Sequence, residues 1–168
     1  SVLALVIIGI IFILGPRLNM DVQVKPINLP EDLDAYLYQQ ESVYNDIKVN
    51  TEKTIIWADE NTKLPTKFSI VYIHGFSASR KEMSPLMENI SKDMSANIYF
   101  TRLPGHARNN EAMAEVTLNS MLNDSLEALE IGKRIGEQVI LVGNSTGSTL
   151  ITWLCSSQNV DKIAAAVL

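Results

Sequence analysis

The chain has 168 residues, of which 14 are Lys or Arg and 19 are Asp or Glu, giving a net charge of −5 at pH 7. This length suits one domain, and a hydrophobic fraction of 46% excludes a disordered chain. The acidic balance leaves no basic stripe to neutralise phosphates and argues against nucleic-acid binding. A single Cys excludes an internal disulfide.

Residues 1–15 carry no charge, and only Ser1, Gly9 and Gly15 among them are not strongly apolar. As a helix they would extend about 22 Å, which is short of the ~30 Å hydrocarbon core of a bilayer. We expect an incomplete transmembrane signal anchor, so that the membrane is a partner through residues 1–15. A cleaved signal peptide and a buried core helix are the alternatives. If a basic segment lies upstream, the following domain faces away from the cytoplasm, in a bacterial periplasm or at the cell surface.

Residues 16–50 are predicted to form a linker and a helix that precedes the main domain. The linker is marked by several Pro residues up to Pro30. The helix is predicted over 31–47, where an imperfect apolar stripe follows an acidic first turn.

From residue 51 to residue 168, short β-rich runs alternate with helical patterns. The predicted strands are 53–58, 67–73, 96–101, 138–142 and 162–168. The predicted helices begin at a capping box formed by Ser79 and Glu82, at Thr117 and at Thr146. This alternation predicts an α/β fold with a mostly parallel sheet and helices on both faces.

The stretch Gly143-Asn144-Ser145-Thr146-Gly147 matches the G-x-S-x-G pattern, directly after an apolar strand and at the start of a helix. Such a turn is too tight for side chains on its flanks, so glycine is required at both ends of the motif. It exposes the Ser145 hydroxyl and directs the Thr146 N–H towards a developing oxyanion. The alternative is a Gly- and Ser-rich helix start that only packs tightly.

Two further loops follow predicted strands at the same edge of the sheet. In His74-Gly75-Phe76-Ser77, the Phe76 N–H is placed to be the second oxyanion donor, and His74 is expected to anchor the loop. In Leu103-Pro104-Gly105-His106, the histidine is expected to line the site or brace the loop. No acidic or Cys cluster accompanies the two histidines, so we expect no metal.

These three stretches together resemble the α/β-hydrolase superfamily and, within it, the serine aminopeptidase and monoacylglycerol-lipase-like branch, over about residues 52–168. The resemblance implies a Ser145 nucleophile, Phe76 and Thr146 as backbone oxyanion donors, and no cofactor. It implies a small-molecule carboxylic ester as substrate, such as an acylglycerol or another lipid ester. Peptide hydrolysis at the same site and a non-catalytic binding protein are the alternatives. The expected residues lining the site are His74, Gly75, His106 and Asn144, with Gly143 and Gly147 in the elbow.

The family order is nucleophile, acid, histidine, whereas both histidines here precede Ser145. We therefore expect the acid and the catalytic histidine beyond Leu168, a fold truncated after about its fifth strand, and an inactive fragment. Ala107 stands where the family commonly has a second Gly, so the shape of that loop is open. The oligomeric state is also open.

Overall fold

The structure is a computed structural model that describes residues 2–15, 21–157 and 160–168. Its described strands form one sheet, in the order β1–β3–β2–β4–β5. All neighbours in this sheet are parallel except β1, which is antiparallel to β3. The prediction of a mostly parallel sheet is therefore confirmed. The strands are β1 (Thr54–Ile56), β2 (Thr66–Ile73), β3 (Asn97–Phe100), β4 (Gly136–Gly143) and β5 (Ile163–Val167).

Helices pack on both faces of the sheet, as predicted. One core joins Val71 and Leu141 of the sheet to Leu129 and Ile151 of two helices. The opposite core is formed by alternate strand residues and Met87 of a third helix. The helices are α1 (Val2–Leu14), α2 (Leu33–Ser42), α3 (Leu86–Asp93), α4 (Asn110–Ala114), α5 (Leu118–Ile135) and α6 (Thr146–Ser157).

Strand β2 lies at the centre of the sheet because its apolar run suits burial on both faces. Residues 69–73 are all buried, as is typical of a central parallel strand. At the other extreme, β5 pairs with β4 alone, and four of its five residues are exposed. The central position of β2 brings the loop that follows it next to the loop that follows β4.

The helix predicted to begin at Ser79 is divided in the structure. A single 3₁₀ turn, Arg80–Glu82, precedes α3, which begins only after Pro85. Proline restricts the residue before it and has no N–H to donate, so the two segments cannot form one continuous helix. The capping-box interpretation of Glu82 is therefore replaced by the tertiary contacts described below.

Two other helix boundaries differ from the prediction for local reasons. Helix α2 begins later than expected because the Asp32 side chain accepts a hydrogen bond from the Ala35 N–H and so caps its N-terminus. Helix α4 was not predicted, and Asn109 caps it through the Ala112 N–H. Both helices are short enough that one capping side chain decides where they begin.

The apolar N-terminal segment forms α1, a helix of 13 residues without a buried side chain. None of the helices within the described ranges is long and apolar enough to cross a membrane. At 1.5 Å per residue, α1 measures about 20 Å, whereas a bilayer core measures about 30 Å. The expected transmembrane helix is therefore not confirmed.

Residues 16–20 of the predicted linker lie outside the described residues. From residue 21 onwards, the predicted linker packs on the folded domain. The amides of Asn119 and Asn123 on α5 bond the backbone of residues 21–25. Ile27 and Leu29 then pack against the core. The segment 21–29 is thus part of the folded body.

Candidate functional site

Ser145 lies at the sharp turn between β4 and α6 with a backbone φ of +51°. A non-glycine residue avoids this left-handed region unless the surrounding structure holds it there. Here the Asn144 N–H donates to the Ile73 carbonyl (3.2 Å) and the Gly147 N–H donates to the Asn144 carbonyl (2.8 Å). The turn leaves Ser145 exposed at the carboxyl edge of the sheet.

The two glycines of the motif stand where no side chain fits. A Cβ on Gly143 would lie 2.7 Å from the backbone of Gly147 and Ser148. A Cβ on Gly147 would overlap the carbonyl oxygen of Ile73, at the end of β2. Close packing of helix α6 against the ends of two strands thus requires glycine at both positions. The same steric requirement was predicted for these glycines from the sequence.

His74 is completely buried and braces the loop after β2. Its Nδ1 lies 2.8 Å from the Gly75 carbonyl oxygen, and its Nε2 accepts a hydrogen bond from the Leu103 N–H at 3.0 Å. Burial lowers the pKa of His74 to about 4. His74 is thus neutral at pH 7, and both of its ring nitrogens are occupied within the loops.

His106 is also buried, and its ring packs between two members of the other loop. The ring centroid lies 5.0 Å from that of His74 and 5.8 Å from that of Phe76. Nδ1 lies 2.9 Å from the Pro104 carbonyl oxygen, and Nε2 has no hydrogen-bond partner in the described part of the chain. No hydrogen bond joins either histidine to Ser145. The described residues also contain no group of three or more His, Cys, Asp or Glu side chains that could hold a metal ion.

Two backbone N–H groups at this edge are free to bind an anion. Neither the Phe76 N–H nor the Thr146 N–H donates to an acceptor within the described residues. Thr146 is the first residue of α6, so its N–H lies at the positive end of the helix dipole. The two loops are adjacent because Ile73 of β2 pairs with Gly143 of β4.

Glu82 is a site residue that sequence reasoning missed. Its carboxylate accepts hydrogen bonds from the Tyr72 hydroxyl, the Gly75 N–H and the Asn144 side-chain amide, at 2.8, 2.9 and 2.8 Å. The only signal in the sequence was the Ser-x-x-Glu spacing, which has a local explanation as a helix cap. The actual partners lie on β2 and on the loops that follow β2 and β4.

A cleft of about 470 Å³ opens beside Phe76. It is lined by the loop after β2 and by the segment 105–113. Ala107 in this segment has a φ of +55°, which is the conformation that a glycine adopts without strain. The cleft provides room for a small molecule beside Phe76, and its lining includes neither Ser145 nor Thr146.

Comparison with solved structures shows the class of fold. A structure described with the metagenome-derived lipolytic enzymes LipS and LipT is similar with a TM-score of 0.56 and 20% identity, covering 65% of this chain. The chain spans only 41% of the length of that enzyme. A protein of unknown function from Staphylococcus aureus subsp. aureus Mu50 gives a TM-score of 0.47 and 23% identity, covering 70% of this chain and 42% of its own. No family model and no curated protein matches the chain.

The fold is therefore an α/β fold that resembles the fold of a lipolytic enzyme. No comparison distinguishes the aminopeptidase and monoacylglycerol-lipase-like branch, so that expectation is not confirmed.

Proposed function

We propose that this chain carries the nucleophile and the oxyanion donors of a serine hydrolase that cleaves carboxylic esters. The observation that carries the proposal is the exposed Ser145, held at a φ of +51° beside the unpaired N–H groups of Phe76 and Thr146. The similar fold of a lipolytic enzyme supports an ester, and among esters a lipid ester, as the substrate.

In this proposal Ser145 Oγ attacks the ester carbonyl carbon and forms a tetrahedral intermediate. The oxyanion accepts hydrogen bonds from the backbone N–H groups of Phe76 and Thr146, and the helix dipole of α6 favours its charge. The C–O bond to the alcohol then breaks, leaving an acyl group on Ser145. Water attacks the acyl-enzyme and releases the acid. Removal of one such donor in other serine hydrolases lowers kcat by about 10²–10³.

A general base must take the proton from Ser145 Oγ, and neither histidine makes a hydrogen bond to Ser145. Both nitrogens of His74 are bonded within the loops. His106 Nδ1 faces the Pro104 carbonyl, and its Nε2 has no partner among the described residues. We assign the base and its acid partner to residues outside 1–168. The span of 41% of the similar enzyme is in keeping with this assignment.

Labelling with a fluorophosphonate probe tests the nucleophile in the complete protein. We expect the wild type to be labelled and Ser145→Ala to remain unlabelled. Ser156→Ala, which removes another exposed serine from α6, is the matched control and should label like the wild type. Equal labelling of Ser145→Ala and the wild type would refute the proposal. Turnover of an aminoacyl arylamide in preference to an aryl ester would indicate a peptidase instead.

We also propose that residues 1–15 anchor the protein in a lipid bilayer and that the hydrolase domain faces away from the cytoplasm. The support for an anchor is that α1 carries no charge and no buried side chain, so it has no polar face suited to water. Flotation with phosphatidylcholine vesicles tests the anchor. The complete protein should float with the vesicles, whereas a variant lacking residues 2–15 should remain in the dense fraction and keep its Ser145 labelling. Equal flotation of the two would contradict the anchor.

A further inference from the structure

The Glu82 carboxylate connects three separate parts of the candidate site. Oε2 accepts hydrogen bonds from the Tyr72 hydroxyl at 2.8 Å and from the Gly75 N–H at 2.9 Å. Oε1 accepts a hydrogen bond from the Asn144 amide at 2.8 Å. Tyr72 belongs to β2, Gly75 to the loop after β2, and Asn144 to the turn after β4. One side chain therefore bridges two loops that begin directly after Ile73 and Gly143, the last paired residues of β2 and β4.

Each loop contact of Glu82 lies one residue before a group that the proposed chemistry uses. Gly75 precedes Phe76, whose N–H is a proposed oxyanion donor, and Asn144 precedes the nucleophile Ser145. A Cβ on Gly75 would lie 3.1 Å from Glu82 Oε1 and 3.4 Å from the Asn144 carbonyl oxygen, so the two loops and the carboxylate are in close contact. A displacement of Glu82 would be transmitted directly to the spacing of donor and nucleophile.

The charge of Glu82 suits this bridging role. Partial burial favours the neutral acid, but the hydrogen bonds from Gly75, Tyr72 and Asn144 outweigh it and hold the pKa of Glu82 below its usual value. All three partners are donors, and an ionised carboxylate, which carries no hydrogen of its own, is suited to accept from all of them. A glutamine would turn its NH₂ group towards either the Gly75 N–H or the Asn144 amide, and two donors would then face each other.

We propose that Glu82 is a positioning residue that fixes the Phe76 N–H relative to Ser145 Oγ. The inference rests on the proposed function, because it concerns the geometry of that same site. Glu82 also borders the cleft beside Phe76, but the role proposed for it is to hold the two loops, and its negative charge by itself would disfavour a nearby oxyanion. Its contribution is the geometry, since misplacement of catalytic groups by about 1 Å can lower a rate about 10²-fold.

The test compares ester turnover by variants of the complete protein, with p-nitrophenyl butyrate as the substrate. Glu82→Gln should lower kcat about 10- to 100-fold and change KM by less than about threefold, because donors to an oxyanion act in the transition state. Tyr72→Phe removes one hydrogen bond from the same carboxylate and should lower kcat less. Glu88→Gln, on the neighbouring α3, is the matched control and should leave kcat unchanged.

A double-mutant cycle adds a readout that a purely structural role would not produce. If Glu82 acts through Asn144, the double variant Glu82→Gln/Asn144→Ala should be no slower than the slower of the two single variants. Additive losses in kcat would overturn the inference. Far-ultraviolet circular dichroism and the urea unfolding midpoint identify a variant that fails to fold. If Glu82→Gln fails to fold, the kcat of Tyr72→Phe, which retains the carboxylate, tests the positioning role instead.

Failure of the inference differs from failure of the proposed function. If Ser145→Ala loses fluorophosphonate labelling while Glu82→Gln keeps its kcat, or gains rate through the lost charge, the positioning role is wrong and the hydrolase proposal stands. If Ser145→Ala is labelled like the wild type, both are wrong.

Discussion

The backbone of Gly147 lies directly against the carbonyl oxygen of Ile73, so the first turn of α6 contacts the end of β2 without a side chain between them. This contact holds the nucleophile turn against the loop that carries Phe76. The same close approach allows the Asn144 N–H to bond the Ile73 carbonyl. The position of Ser145 thus depends on the absence of one methyl group.

Gly147→Ala is therefore expected to destabilise the protein and to displace the turn. The methyl group would overlap backbone atoms that have no freedom to move, and overpacking of this kind costs about 1–3 kcal/mol. Urea unfolding measures the loss, and fluorophosphonate labelling of Ser145 should slow in parallel. Gly9→Ala is the control, because nothing lies within 4 Å of a Cβ at Gly9. An unchanged unfolding midpoint in Gly147→Ala would contradict the tight contact.

Ala107→Gly is expected to leave stability unchanged or to raise it by up to about 1.5 kcal/mol. Alanine at a φ of +55° carries the steric cost of the left-handed region, about 1–2 kcal/mol. Glycine avoids that cost but loses more chain entropy on folding, by about 0.4–1 kcal/mol. Thermal unfolding measures the difference. Ala128→Gly, in the buried face of α5, should destabilise by about 1 kcal/mol or more, and an equal loss in both variants would refute this prediction.

Lys53→Met is expected to destabilise the protein strongly. The Lys53 Nζ contacts Asp124 Oδ1 and Glu127 Oε2, both at 2.5 Å, and all three side chains are 10% exposed or less. Burial alone would lower the pKa of Lys53, but the two carboxylates outweigh it and raise the pKa. Removal of the cation leaves two buried carboxylates unpaired, and breaking such a buried pair costs about 3–5 kcal/mol.

The control for Lys53→Met is Lys63→Met. Lys63 pairs with Asp34 at 2.6 Å, but both side chains are more than a third exposed, and solvent screens such pairs. Guanidinium unfolding should therefore show a large shift of the midpoint for Lys53→Met and a small one for Lys63→Met. Shifts of similar size would show that the buried network adds nothing beyond a surface ion pair.

The stability of the protein should fall between pH 6.5 and pH 4 because of His74. The unfolded chain binds a proton on this imidazole near pH 6.5, whereas burial lowers the pKa in the folded protein to about 4. The contribution of the neutral His74 imidazole to the free energy of unfolding is thus fully present above pH 6.5 and is lost as the pH falls towards 4. A difference of about 2.5 units corresponds to about 3 kcal/mol.

Urea unfolding at pH 7 and pH 4.5 measures this dependence, and His74→Asn separates it from the carboxylates. The variant should lose less stability than the wild type over the same interval. Titration of the imidazole by nuclear magnetic resonance gives the folded pKa directly, and a value near 6.5 would contradict the buried neutral histidine.

The sheet and the nucleophile turn could be predicted from the sequence because their causes are local. Apolar runs such as 70–73 identify buried strands, and the spacing of Gly143, Ser145 and Gly147 satisfies the sterics of one tight turn. The extent predicted for the helix after Ser79 was wrong because Pro85 separates the turn Arg80–Glu82 from α3. Helix α4 was not predicted because a helix of five residues is too short to show the periodic apolar pattern of a helix.

The residues of the site that sequence reasoning missed depend on contacts between distant segments. Glu82 accepts a hydrogen bond from Asn144, which lies 62 positions away in the chain, and no local sequence pattern indicates this contact. The same is true of the segment 21–29, whose composition is typical of a linker. Its docking depends on Asn119 and Asn123, which lie on one face of α5 because they are four residues apart.

The sequence by itself determined the α/β class, the strand that carries the nucleophile turn, and the glycines that flank Ser145, because backbone sterics and burial periodicity act over a few residues. Only the tertiary structure decided that His74 is neutral, that Glu82 joins two loops, and that residues 21–29 lie on α5. These properties arise from desolvation and hydrogen bonds between elements, and those interactions exist only once the sheet has brought the elements together.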